Sequence, residues 1–150
     1  MSVTVDANVL VYASNEAEEV HEEARRLVER LAAGPEIFYL FWPTVMGYLR
    51  IVTHPSVLPR SLSPPDAIAN LEALVSLPHV RTPGEGEGFW DVFLRTRNEA
   101  DRGNHVPDGH VAALMRQHGV RTIYTRDRDF RRFDGIAAED PFGAQPERGG

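Results

Sequence analysis

The sequence predicts a single α/β domain, a mostly parallel sheet covered by helices on both faces. Short apolar, β-branched runs alternate along the chain with segments whose apolar residues recur at helical spacing. Glycine and proline fall between these segments, where the chain must turn. At 150 residues the chain is long enough for one core, and no repeat, low-complexity block or interdomain linker divides it.

The elements follow in order. Residues 2–6 read as a short buried strand, and an apolar stretch from Val9 to Ala13 follows Asp6. Asn15 with Glu18 three residues on has the form of a capping box. Val20, Ala24, Leu27, Val28 and Leu31 then make a helical stripe that stops at Gly34-Pro35. Ile37 to Trp42 reads as a second strand. Pro43 suits the first turn of the next helix, whose apolar positions Val45, Leu49 and Val52 end before Pro55. Ser63-Pro64-Pro65-Asp66 starts another helix, carried by Ile68, Leu71, Leu74 and Val75 as far as Pro78.

Val80 marks a short strand. The glycines and glutamates of 83–88 form a turn or mobile loop and not a phosphate cradle, because the glutamates repel phosphate. Phe89, Trp90, Phe93 and Leu94 begin a helix expected to end near Gly103. A helix opening at Asp108 runs through Val111, Ala112, Leu114 and Met115 to a stop at Gly119. Val120 to Thr125 is a strand, and Ile136 belongs to a last short one. From Pro141 the chain has little to bury and reads as a frayed tail.

Composition narrows the function. A net charge of −6 argues against coating nucleic acid through bulk electrostatics, yet admits an enzyme whose bound cation offsets its own acids. The absence of cysteine excludes disulfides, thiolate catalysis and cysteine-held metals. His21, His54, His79, His105, His110 and His118 lack metal-ligand spacing, which argues against zinc. No apolar run approaches the roughly 18 residues needed to span a bilayer, and no signal-peptide pattern is present, so a cytoplasmic protein is expected. All sixteen basic residues are arginine, a bias of composition that decides nothing about chemistry.

Three aspartates stand out from the 22 acidic residues. Asp6 lies between V3-T-V5 and V9-L-V11 at the edge of the core, where an unpaired carboxylate is costly and a cation or donor set justifies it. Asp127 follows a strand, with Asp129 two residues on. Asp108 taken alone is as well explained as a helix N-cap, but its helix starts at the same sheet edge. Ligands of open parallel sheets bind at the carboxyl ends of strands. Carboxylates gathered there make a hard-cation site suited to phosphate chemistry, and a Mg²⁺-dependent nuclease is the leading reading. One or two such ions would activate a water for in-line attack on a phosphodiester.

The pieces D6-A-N-V-L-V-Y-A13, W42-P-T-V-M-G-Y-L-R-I-V-T-H-P55, V106-P-D-G-H-V-A-A-L114 and T125-R-D-R-D-F130 resemble the PIN-domain ribonucleases, specifically the VapC toxins of VapBC toxin–antitoxin pairs. The similarity runs in the family's order to about Pro141. It implies a three-layer α/β/α domain over residues 1–141, leaving 142–150 as a disordered tail. It implies Mg²⁺ or Mn²⁺ held by Asp6, Asp108 and Asp127, with Asp129 as a nearby catalytic acid and Asn8 and Thr125 holding the carboxylates. It further implies single-site cleavage of transfer RNA or another structured RNA, leaving a 5′-phosphate and a 3′-hydroxyl. A VapB-type antitoxin as partner and a homodimer complete the resemblance.

One position departs from that pattern. The family usually carries glutamate in the helix after the second strand, and Gly47 stands there, on a face with Arg50 and His54. A catalytically weakened domain that binds RNA or its antitoxin is therefore the alternative. A phosphohydrolase of the haloacid-dehalogenase type ranks below both, because it wants an acid or threonine where Asn8 stands. Arg126 and Arg128, with Arg131 and Arg132, flank the last acids and are candidates for RNA phosphates, as is Arg50; Arg102 is weaker. His110 follows Asp108 by two and could line the site. Trp42, Phe89, Trp90 and Phe93 read as core or interface residues.

Overall fold

A computed structural model describes residues 1–98, 101–103 and 105–143. Its elements are β1 (Ser2–Val5), α1 (Ala7–Ser14), α2 (His21–Ala33), β2 (Ile37–Tyr39), α3 (Trp42–Val52), α4 (Pro64–Val75), β3 (Val80–Arg81), α5 (Phe89–Thr96), α6 (His105–Gln117), β4 (Thr122–Tyr124) and β5 (Ala137–Glu139). A 3₁₀ turn over Arg128–Arg132 joins β4 to β5. The five strands form one parallel sheet in the order β3-β2-β1-β4-β5. The expected α/β class and parallel sheet are thus found.

Two apolar layers enclose the sheet. On one face Val3, Val5, Phe38 and Leu40 pack with Val9, Leu27, Leu31, Tyr48, Val52 and Leu71 from α1 to α4. On the other, Ile123 and Phe41 pack with Leu114 and Met115 of α6 and with Phe130 and Phe133 of the 3₁₀ turn. The alternation along β1 is the reason: Val3 and Val5 face the first layer, and the buried Thr4 between them donates its hydroxyl to the Tyr39 carbonyl at 2.7 Å. No helix among the described residues is long and apolar enough to cross a membrane.

Several elements differ from the reading of the sequence. Val9 to Ala13 belongs to an eight-residue helix, because β-branched residues fit a helix once one face is buried. Asn15 is the C-cap of that helix and not the N-cap of the next; its side chain accepts from the Ala17 amide at 3.2 Å, and α2 begins at His21. Helix α5 stops at Thr96, well short of Gly103, where Arg97 turns extended. Helix α6 begins at His105, so Asp108 lies inside its first turn. The loop 83–88 is held: Gln117 accepts from the Gly86 amide at 2.8 Å, and a ring nitrogen of His118 lies 2.9 Å from the Gly84 carbonyl. The Ser63 start of α4 is as read, its hydroxyl accepting from the Asp66 amide at 3.2 Å. Phe142, the first residue of the expected tail, packs edge-on against Tyr12 at 6.0 Å; residues 144–150 of that tail lie outside the described residues.

Candidate active site

The strand order reverses beside β1. The chain builds outward from β1 through β2 to β3, then returns to lay β4 on the opposite side of β1. A crevice opens at such a switch point, outside the carboxyl ends of the two strands. Asp6 directly follows β1 and Thr125 directly follows β4, and the Asp6 amide donates to the Tyr124 carbonyl at 3.0 Å. Two residues far apart in sequence thus become neighbours through sheet pairing alone.

The side chains extend that pairing. Thr125 is buried, and its hydroxyl donates to Asp6 Oδ2 at 2.9 Å. The same hydroxyl accepts from the Asp127 amide at 2.9 Å, and Asp127 Oδ1 in turn accepts from the Asp129 amide at 2.9 Å. The threonine rotor is therefore fixed at both ends. Asp6 occupies the N-cap position of α1, and its carboxylate accepts from Thr125.

Charge ties Asp108 to the group. Its carboxyl is pushed from an ordinary 3.8 up to about 6, first by burial, then by the negative charges of Asp127 and Asp6, against a weaker pull from Arg132 and His105. Asp6 is also raised, chiefly by burial, with the Thr125 hydroxyl opposing and Asp127 adding to the rise. Asp127 thus adds its charge to the burial that raises both Asp6 and Asp108. Among the described residues no three His, Asp or Glu side chains stand close enough to enclose an ion as they lie. The donor set is nonetheless all oxygen and short of positive charge, which suits a hard divalent cation.

The remaining candidates divide. Asn8 is exposed, and it is its backbone amide that opposes the rise at Asp6. Asp129 is exposed and lies 3.7 Å from a ring nitrogen of His105. Gly47 faces the site's first helix: a Cβ built there would meet Ala7 Cβ at 3.5 Å, an ordinary contact with room for a side chain. Arg126 lies over the rings of Tyr12 and Phe142, at 5.9 and 5.6 Å. Arg128, Arg131 and Arg50 are exposed.

Arg132 is otherwise engaged. It is bound to Asp101 and to backbone carbonyls, so it is not free for an RNA phosphate. A ring nitrogen of His110 lies 2.6 Å from Glu85 of the 83–88 loop. Trp90 is the most exposed of the four aromatics singled out, at 64%, and stacks on Phe93. Sequence reasoning missed Asp101, whose side chain is 7% exposed; its segment has no periodic pattern to mark a buried acid.

The PIN domain family model matches residues 3–136. Ribonuclease VapC48 of Mycobacterium tuberculosis is 52% identical over 143 residues, covering 95% of this chain and 99% of that one. Ribonuclease VapC43 of the same organism is 34% identical over 142 residues, covering 94% and 96%. Among solved structures, VapBC2 from Rickettsia felis bound to a DNA fragment from their promoter superposes with a TM-score of 0.67 at 16% identity, covering 93% of this chain and 98% of that one.

Proposed function

We propose, for a chain that belongs to the PIN-domain family and within it to the VapC ribonucleases, a divalent-metal-dependent endoribonuclease toxin that cuts a structured RNA. The observation that carries this reading is the hydrogen-bonded line Asp6–Thr125–Asp127 at the sheet's switch point, with the Asp108 carboxyl raised by burial and by the charges of Asp127 and Asp6. Asp6, Asp108 and Asp127 would hold Mg²⁺ or Mn²⁺, and Asp129 would stand beside them. When bound, the ion supplies positive charge at the phosphodiester and acidifies a water.

This chain's own residues do the rest. Thr125 orients Asp6 through the hydroxyl it donates to Oδ2 at 2.9 Å. Arg126, braced on two rings beside Asp127, offers a pre-ordered guanidinium to a neighbouring phosphate, and the exposed Arg128 and Arg50 offer looser ones. A VapB-type antitoxin that occludes the site and a homodimer belong to the same reading, the first supported by the likeness to VapBC2.

A weakened nuclease that persists as a binding module is the second reading, and Gly47 beside Ala7 favours it, since no acid stands at that place. Cleavage of transfer RNA and ribosomal RNA fragments by the parent, Asp6→Asn and Asp108→Asn, each in Mg²⁺ and in EDTA, tests both. Metal-dependent cutting lost in both variants supports the nuclease. Cutting indifferent to both substitutions and to EDTA would sink it, and RNA binding without cutting favours the second reading.

A further inference from the structure

Arg132 sits on the 3₁₀ turn with Asp129, and it reaches across to the segment that leads into α6. Its Nη1 donates to the Asp129 carbonyl at 2.7 Å, and its Nη2 lies 3.4 Å from the His105 carbonyl and 3.5 Å from Asp101 Oδ2. Its Nε is buried and 3.4 Å from Asp101 Oδ1, near enough for charge attraction though off the line of a hydrogen bond. The guanidinium carbon stands 4.3 Å from the centroid of the Phe133 ring. The two side chains are 19% and 7% exposed.

Asp101 is committed in the same direction. It accepts from the Asn98 amide at 3.1 Å, and a ring nitrogen of His105 lies 3.7 Å from its Oδ1. His105, the first residue of α6, also lies 3.7 Å from Asp129. A carboxylate this enclosed is costly without its partner, and the planar guanidinium fork spreads its donors over a carboxylate and two carbonyls at once.

We propose that Arg132, held by Asp101, is a positioning residue that locks the turn carrying Asp127 and Asp129 to the first turn of the helix carrying Asp108. Asp108 comes from one element, and Asp6 and Asp127 from two paired strand ends; the Thr125 hydroxyl links only the latter two. The Arg132–Asp101 pair supplies the third link. The proposal rests on the metal-site reading above for one of its two readouts only.

Amide hydrogen exchange in the metal-free protein tests the lock directly, comparing R132Q, R132K and D101N with R25Q, an exposed ion-pair variant on α2. R132Q and D101N are expected to speed exchange in both 105–108 and 127–132 while leaving α2 and α4 unchanged. R132K, which keeps the charge and loses the fork, falls between them and the parent. Unchanged exchange in those two segments of R132Q overturns the proposal, and so does faster exchange spread through the whole chain. In calorimetry with Mn²⁺, R132Q and D101N are expected to bind about 10-fold more weakly, and R25Q like the parent. Parental affinity in a folded R132Q also overturns it. If the parent itself takes up no Mn²⁺, the metal reading fails and the exchange result alone decides.

Discussion

Thr125 donates its hydroxyl to Asp6 across 119 residues of sequence, at 2.9 Å, while accepting the Asp127 amide on the same oxygen. One hydroxyl thus aligns two of the three acids. Thr125→Val keeps the shape and removes both bonds, leaving a buried carboxylate and an amide short of a partner. Stability is expected to fall by about 1–3 kcal/mol, and the Asp6 pKa to climb further, because the hydroxyl is the largest influence lowering it. Denaturant melts and carboxyl NMR titration check the two parts. Thr125→Ser, which keeps the donor, should restore most of both.

Asp108 governs the pH response. Its folded-state value is about 6 against an ordinary 3.8, so between those values the folded protein holds a proton that the unfolded chain releases. Its contribution to stability is therefore fully present below the lower value, is lost as pH rises through the window, and levels off above the upper one. Asp108→Asn removes this titration. In EDTA the variant should melt above the parent at neutral pH, with the gap closing as the pH falls through that window. A gap that stays constant between about pH 4 and 7 would place the titration elsewhere.

Divalent metal should act in the opposite sense. A cation that neutralises Asp6, Asp108 and Asp127 binds the folded state alone, so Mn²⁺ at ten times its Kd should stabilise by about 1.4 kcal/mol. Asp6→Asn should respond far less. Equal shifts in parent and variant would mean that the ion binds somewhere else.

Two changes at Gly47 separate helix stability from chemistry. Its Cβ direction is open, with only Ala7 at 3.5 Å, so Gly47→Ala should stabilise by about 0.5–1 kcal/mol and leave RNA cutting as it was. Gly47→Glu adds a carboxylate beside the helix that starts at Asp6. It should tighten Mn²⁺ binding by about tenfold or more, the scale on which even indirect supports of a ligand act, and raise cleavage with it. A glutamate that changes neither would remove position 47 from the site.

Arg126 should be felt in the salt dependence of RNA binding. In the Asp6→Asn background, Arg126→Ala should lower the slope of log affinity against log salt by about 0.7 if it neutralises one phosphate of a single strand. An unchanged slope would confine Arg126 to its contacts with Tyr12 and Phe142.

The sequence made the acids legible because each adjoins an apolar pattern: Asp6 splits two valine-rich runs, Asp108 precedes the stripe of α6, and Asp127 follows β4 by three residues. Parallel strands buried on both faces announce themselves as continuous apolar runs, which is why the sheet was readable. The same property hid α1, whose Val9 to Ala13 run has no polar face to reveal its period. The Asn15–Glu18 pair imitated a capping box, since a turn and a helix start use the same side chains. Arg132 was indistinguishable from Arg131 in sequence; only the fold points one at Asp101 and the other at solvent.

The pairing of β1 with β4 also sets when the cluster can exist. Asp6 and Thr125 are separated by 119 positions, so the two can meet only after the chain between them has been laid down. Until β4 docks, Asp6 lacks the Thr125 hydroxyl that aligns it with Asp127. A crevice built in this way stays incomplete until β4 is in place, however early the helices around it form.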